Sequence, residues 1–437
     1  MTNSKSTVFA LNRRNFLKGS AVALATVALP LRADPRNVVV VTSYPDEVVS
    51  RFEAAFEKLH PEYRLQIIWR MPRDALPYLL QPQQSGVDVY WSASPRTFAR
   101  LKSENALRKL DIDRTKLPTK IGHTQLRDAD DYFVATEMAG YGFAINESAL
   151  TRLGVRQPKD WRDLTDPRLA GQIALPNPAR VGFAPVMIDI VLQGYGWQQG
   201  WALWNEIAAQ SVLMEHGASF VSDDVASGRC AVGLSIDFFV ASAIANGAKL
   251  KFAYPHRSGI NPGHIAITAS ASNGDGARAF AEFVLSQAGQ LLLTHPDIRK
   301  LPVLPAAYTQ LDADYYRPFD AAARGELDYD NDVGRNRLGV IAAYFDQHLA
   351  YRHDEQAALW KQLHAQEKLG RTMTSARAIL SAAPLREEQA ASAELQKIFR
   401  ERIEGAEPTL SDIERTWRSE TDNRVTQAKA LLENTAV

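Results

Sequence analysis

The sequence predicts an α/β protein of two lobes joined by two crossing strands, with an α-helical extension at the C-terminal end. Three observations predict it. Short β-branched runs such as Val38-Val39-Val40-Val41 alternate with amphipathic stretches, the pattern of a mostly parallel sheet covered by helices. The alternation occurs twice, with extended apolar segments suited to crossing between the two units. Residues 336–437 then change character, carrying helical periodicity without Val-rich strands. A chain of 437 residues also exceeds what one compact core usually holds.

The chain opens on a leader. Asn12-Arg13-Arg14-Asn15-Phe16-Leu17-Lys18 precedes an apolar run from Ala21 to Leu31, closed by Leu31-Arg32-Ala33. A charged start, an apolar stretch and a small-residue cleavage site make a secretory signal. The paired arginines ahead of Phe-Leu-Lys resemble the twin-arginine export signal. The run is about half of the roughly 20 apolar residues that span a bilayer. No cysteine follows the cleavage site to carry a lipid, so the expectation is a soluble periplasmic protein after removal of residues 1–33. The leader takes Lys5, Arg13, Arg14, Lys18 and Arg32 with it, leaving 45 basic against 50 acidic residues. That net charge of −5 argues against nucleic acid or an anionic membrane as partner. The lone Cys230 rules out an internal disulfide.

The first unit begins with the strand Asn37 to Thr42, ending at Ser43-Tyr44-Pro45-Asp46-Glu47. A helix follows, with Val48, Val49, Phe52, Ala55 and Phe56 on one stripe and Pro45, Asp46 and Glu47 at its start. Strands at residues 65–69 and 87–91 complete the unit, the second ending at Ser92-Ala93-Ser94-Pro95. The second unit has strands at residues 171–176 and 230–235, which end at Asn177-Pro178-Ala179-Arg180-Val181-Gly182 and Ile236-Asp237-Phe238-Phe239. A long helical region to about Gln210 is broken by Gly194 and Gly196. Crossing strands are expected at residues 132–145 and 264–268, and a helix over residues 276–293 returns to the first sheet. In the tail, Ser411-Asp412-Ile413-Glu414 reads as a capping box, opening a helix with Ile413, Trp417, Val425, Ala428 and Leu432 near one face. Leu395, Ile398, Phe399 and Ile403 form another apolar stripe.

Ligands bind outside the carboxyl ends of strands in such sheets, and all four turns named above (43–47, 92–95, 177–182 and 235–238) follow strand ends. Other motifs are incomplete. Gly194 to Gly200 has the wrong spacing for a dinucleotide loop and no strand before it. Asp328 to Gly334 resembles the opening of a calcium loop, but Val333 stands where glycine is needed and Gly339 where glutamate is needed. The nine histidines are scattered, with no His-Glu-x-x-His pattern, and no Gly-x-Ser-x-Gly elbow occurs.

The residues at those turns carry a resemblance. Val41-Thr42-Ser43-Tyr44, Asp88-Val89-Tyr90-Trp91-Ser92-Ala93, the stretch from Trp161 to Gly171, Asn177 to Gly182 and Gly233-Leu234-Ser235-Ile236-Asp237 are together similar to periplasmic solute-binding proteins of ABC-type transporters. The class includes iron(III), 2-aminoethylphosphonate, hexose-phosphate and phosphoglycerate receptors, and the likeness runs to about Pro305. It implies the type 2 two-lobe periplasmic binding fold. Lobe I is then residues 34–139 and 268–305, lobe II is residues 140–267, and residues 306–437 are the helical extension. The extension looks most like that of the phosphoglycerate-type receptors, which act with a membrane sensor. The iron receptors use adjacent tyrosines where this sequence has Phe238 and Phe239, which offer no donor atom.

The resemblance implies a binding protein, not an enzyme, with no cofactor. Its partners are a small anionic organic solute (phosphorylated, phosphonate or carboxylate) and either an ABC permease or a membrane sensor kinase. The extension packs on the lobes, makes a homodimer or docks the partner. Iron(III) binding and an exported cofactor-containing enzyme, the latter suggested by the twin-arginine route, stand as rivals. For the ligand the candidates are Ser43, Tyr44, Ser92, Ala93 and Ser94, whose hydroxyls and helix-start N–H groups suit an oxyanion, unless the serines merely cap helices. Arg180, with Asn177, Val181 and Gly182, offers a guanidinium and N–H groups, unless Arg180 is tied up in a salt bridge. Ser235 and Asp237 either contact the solute or, for Asp237, hold Arg180. His256 adds positive charge or is a solvated loop residue, and Tyr141 is a stacking candidate. Trp69 and Trp91 are expected in the core.

Overall fold

Ten strands form one continuous sheet in the computed structural model, which describes residues 36–215, 218–400 and 410–434. The leader, His216, Gly217 and Ile403 of the tail's apolar stripe lie outside the described residues. The strands are β1 (Arg36–Thr42), β2 (Tyr63–Trp69), β3 (Val89–Ser92), β4 (Lys120–Ile121), β5 (Thr124–Gln125), β6 (Val134–Ile145), β7 (Ile173–Pro176), β8 (Ser211–Met214), β9 (Val232–Ile236), β10 (Lys251–Ala253), β11 (Ile260–Ile267) and β12 (Leu301–Pro302). Their order is β2-β1-β3-β11-β6-β9-β7-β8, with β10 and β12 also on β6, and β4 and β5 form a separate hairpin.

The first half is the parallel set β2-β1-β3, with Val40 beside Ile67 and Val89. The helix Asp46–Leu59 buries Val48, Val49, Phe52 and Phe56 against it. Phe52 and Phe56 meet Trp91, Phe280 and Phe283 edge-on or tilted at 4.9 to 6.1 Å, a geometry that favours aromatic pairs. Asp88 is buried just ahead of β3, where its carboxylate accepts from Val39 N and Asn273 N, both at 2.9 Å. The second half is the parallel set β9-β7-β8. Its core holds Trp161, Trp201 and Trp204, all fully buried.

Strand β6 joins the halves. Its residues 134–140 pair with β11, and residues 141–145 pair with β9. All twelve of its residues are buried, and all but Thr136 and Glu137 are apolar or glycine. The second crossing differs from expectation. Strand β11 starts at Ile260, and its last four residues pair with β3, so the chain has re-entered the first half well before residue 267. Pro262 stands inside this strand, next to a register shift between Gly263 and His264, the kind of irregularity where proline is tolerated. The expected single helix over residues 276–293 is two, Gly274–Leu285 and Gln287–Leu292, because Ser286 is extended and caps the second through Gly289 N. The expected break near Gly194 and Gly196 falls at Gly196, whose φ of +84° suits glycine alone. Strands β8, β10 and β12 are too short to show a period in the sequence.

The C-terminal helices are Asn331–Phe345, His353–Lys368, Thr374–Ser381, Glu387–Ala390, Ala393–Arg400 and Asp412–Asn434. They contribute to two cores: Tyr344, Phe345, Phe399 and Trp417 belong to the same buried cluster as Trp161, Trp201 and Trp204, while Trp360, Leu363, Leu380, Val425 and Leu432 form a second cluster with Ala209. The Asn331–Phe345 helix touches both halves. Asn331 donates to Thr124 Oγ1 at 2.8 Å and to the Ile260 carbonyl at 3.1 Å, and Arg337 donates to Asp189 Oδ1 at 2.8 Å. The capping box forms, with Ser411 N donating to Glu414 Oε2 at 2.9 Å and Glu414 N to Ser411 Oγ at 3.4 Å. Among the described residues no helix is long and apolar enough to cross a membrane.

Candidate functional site

The strand-end turns converge in pairs. Ser43 directly follows β1 and Ser92 ends β3, and neighbouring parallel strands carry their hydroxyls to 2.8 Å of each other. Ser94 starts the helix Pro95–Ser103, but its hydroxyl bonds Thr97 Oγ1 at 2.9 Å, so it serves the helix start. Ala93 is half-buried against the first core. Across the sheet, Phe183 beyond β7 and Phe239 beyond β9 lie with ring centres 5.7 Å apart, and Phe238 packs on Phe239 at 4.1 Å. Among the described residues no three His, Cys, Asp or Glu side chains gather into a metal-sized group.

The two pairs of turns meet through residues that sequence reasoning missed. Tyr44 is buried, with its ring edge-on to Trp91 at 4.8 Å and its hydroxyl donating to the Glu137 carboxylate. Thr136 donates to the other Glu137 oxygen. Lys300, 3% exposed, lies 3.6 Å from Glu137 Oε1. Its ammonium sits over the Tyr44 ring at 4.7 Å and over the Phe238 ring at 4.5 Å, touching one aromatic ring from each half. Burial raises the Glu137 carboxyl to about 7, against the pull of the Lys300 charge. Gly263 makes this packing feasible, since a Cβ there would collide with the Glu137 carboxylate and the Tyr44 hydroxyl.

Asp237 anchors the second half to the crossing. Its Oδ2 accepts from Gly140 N at 2.7 Å and from the Tyr254 hydroxyl at 2.8 Å, and its Oδ1 from Phe238 N at 2.7 Å. Burial lifts its carboxyl to about 6, although these hydrogen bonds and the Lys300 charge oppose the shift. Asp237 therefore does not hold Arg180. That guanidinium lies 3.4 Å from Glu215, which also accepts from Asn177 Nδ2 at 3.0 Å. Asn177 Oδ1 caps the turn through Ala179 N, Val181 is buried, and Gly182 is exposed.

The remaining candidates fall elsewhere. Tyr141 is buried in the second core and presents no free ring face. Ser235 Oγ is buried with no hydrogen-bond partner among the described residues. His256 is exposed, 3.6 Å from Glu326, and its backbone bonds Lys159, so it shares no partner with the four turns. Trp91 packs in the core as expected, whereas Trp69 ends β2 half-exposed, beside the equally exposed Met71. Glu137 had a signal, as the only carboxylate in the apolar run 134–145. Lys300 had none, since it lies in a connection without periodicity.

Two sheet halves joined by crossing strands, with strand-end turns meeting at the junction, define a two-lobed periplasmic solute-binding protein of the type 2 fold. The chain belongs to the bacterial extracellular solute-binding protein family, whose profile matches residues 85–321. Residues 10–30 match the twin-arginine translocation (TAT) pathway signal sequence, the route that takes the protein to the periplasm. The chain is 29% identical over 307 residues to the phosphoglycerate transport regulatory protein PgtC of Salmonella typhimurium, covering 68% of this chain and 73% of that one. It is 29% identical over 184 residues to an uncharacterized protein of Haemophilus influenzae, covering 41% and 51%. The periplasmic binding protein AfuA from Actinobacillus pleuropneumoniae, solved with fructose-6-phosphate, matches with a TM-score of 0.53 at 20% identity, covering 72% of this chain and 98% of that one. Iron-bound HitA from Pseudomonas aeruginosa matches with a TM-score of 0.55 at 16% identity, covering 70% and 99%. At these identities the structural likeness is one of fold.

Proposed function

We propose that this protein captures a small anionic organic solute, carrying a phosphate, phosphonate or carboxylate, between its lobes. It acts by binding and not by catalysis, and hands the solute to the membrane permease of an ABC transporter. The observation that carries this reading is the junction itself, where Ser43 meets Ser92 and a buried cation lies between Tyr44 and Phe238. Hydroxyls and a fixed positive charge suit an oxyanion. The phosphorylated compounds named for PgtC and AfuA support the same solute class. Bare iron(III) is disfavoured, because Phe238 and Phe239 supply no oxygen. Solute would draw the lobes together about β6 and β11, and the permease would recognise the closed form.

A second reading has its own support. PgtC is described as a regulatory protein of transport, and the chain is 29% identical to it over 307 residues. On that reading the closed form signals to a membrane sensor kinase, with the C-terminal helices, rigidly attached to the second half, as the docking face or as a homodimer contact.

The test is thermal unfolding against a panel of anions. A solute at 100 times its dissociation constant stabilises by about 2.7 kcal/mol. Stabilisation by phosphorylated compounds and none by ferric citrate is the expected outcome; the reverse would remove the reading.

A further inference from the structure

We propose that Lys300 supplies the fixed cation of the solute site, its ammonium receiving an anionic oxygen of the bound phosphate or carboxylate. The inference rests on the reading of the protein as an anion receptor and names the charge that does the selecting.

Three features of the lysine point this way. The first is cost. Placing an ammonium in a largely buried position is expensive unless its three donors are satisfied, and such a position would be filled more cheaply by an apolar side chain. Lys300 makes one ion-pair contact among the described residues, with Glu137 Oε1 at 3.6 Å, which is longer than a hydrogen bond. Glu137 is itself occupied by the Tyr44 and Thr136 hydroxyls. Among the described residues, Lys300 thus keeps donor capacity beyond its contact with Glu137.

The second feature is position. The rings on either side of the ammonium come from opposite lobes: Tyr44 follows β1, and Phe238 opens the helix Asp237–Ala245 after β9. Both belong to strand-end turns, where a ligand in this fold meets the protein. The hydroxyls of Ser43 and Ser92 stand one residue before Tyr44 and at the end of the neighbouring strand. The third feature is that Arg180 is engaged elsewhere. Arg180, the guanidinium in these turns on the second lobe, already faces Glu215 at 3.4 Å. The faces of Tyr44 and Phe238 hold the ammonium in place without neutralising it, since a ring quadrupole attracts a cation but carries no net charge.

Calorimetric titration of the full mature protein tests this, with 3-phosphoglycerate, fructose 6-phosphate and succinate as probes. Lys300→Met keeps most of the length of the side chain and removes the charge. It should weaken binding of whichever probe the unaltered protein takes up by roughly tenfold to a hundredfold, the loss expected for one charge-assisted hydrogen bond. Lys300→Arg should retain part of the affinity. If Lys300→Met fails to fold because Glu137 is left unpaired, Lys300→Met/Glu137→Gln carries no buried charge and serves in its place, with the same expected loss. Equal affinity in the unaltered protein and the charge-free variant overturns the role of Lys300 and leaves the receptor reading standing. Binding of none of the three anions by the unaltered protein overturns both.

Discussion

The carboxylate of Asp237 holds the backbone N–H of Gly140 at 2.7 Å, pinning the start of the second lobe's helix to the residue where β6 passes between the lobes. The same oxygen accepts from Tyr254, whose ring fills the space a side chain at position 140 would need. A Cβ there would stand 2.5 Å from the Tyr254 ring. Gly140→Ala should therefore destabilise the fold by about 1–3 kcal/mol, the usual range for overpacking. Urea unfolding measures this, and a change below about 0.5 kcal/mol, typical of surface substitutions, would mean that the crossing adjusts freely.

The two junction carboxyls set a pH dependence. Glu137 is raised from 4.5 to about 7 and Asp237 from 3.8 to about 6, in both cases by burial. A raised acid holds its proton more tightly in the folded state. Its contribution is therefore complete below the unfolded value and is lost as pH rises through the folded one. For Glu137 that window runs from about 4.5 to about 7, and the loss is on the order of 3 kcal/mol. Unfolding free energy across this window should fall less steeply for Glu137→Gln than for the unaltered protein. Parallel profiles would show that Glu137 does not titrate there.

Arg337 and Asp189 form a buried pair that binds the C-terminal helices to the second lobe, with Nε and Nη2 both 2.8 Å from Asp189 Oδ1. Removing one partner strands a charge in the core. Arg337→Met should cost about 3–5 kcal/mol, while Arg337→Met/Asp189→Leu recovers much of the loss. Chemical denaturation of the single and double variants decides it, and a double variant no better than the single one would show that the guanidinium contributes through packing alone.

Arg424 is a second buried guanidinium, this one without a carboxylate partner among the described residues. It donates to Asn205 Oδ1 at 2.7 Å, Leu380 O at 2.9 Å, His348 O at 2.9 Å and Gln356 Oε1 at 2.6 Å. Burial pushes it down to about 10, so it remains charged at neutral pH. Four acceptors in one planar fork match arginine and not lysine. Arg424→Lys should lose nearly as much stability as Arg424→Ala, about 2–4 kcal/mol for several acceptors left buried. A lysine variant with unaltered melting temperature would sink this account. The shared core also changes what truncation can report. Removing residues 336–437 strips Tyr344, Phe345 and Trp417 from the cluster around Trp201, so a loss of solute affinity would reflect damage to the lobe.

Much of this protein follows from the sequence alone. The leader is a local motif, and the strand–helix alternation, the apolar crossing strand and the Ser411–Glu414 capping box are short-range patterns that the chain carries wherever it folds. The four strand-end turns follow from those strands. What only the tertiary structure decided is which residues meet at the junction. Tyr44 and Glu137 are 93 positions apart, and Lys300 comes from a connection with no period of its own. The placement of Arg180 against Glu215, Asp237 against Gly140 and Tyr141 within the core was likewise set by packing. Periodicity reports which face of an element is buried; it carries no information about which distant side chain shares that burial, and a buried charge is assigned its role by its neighbours.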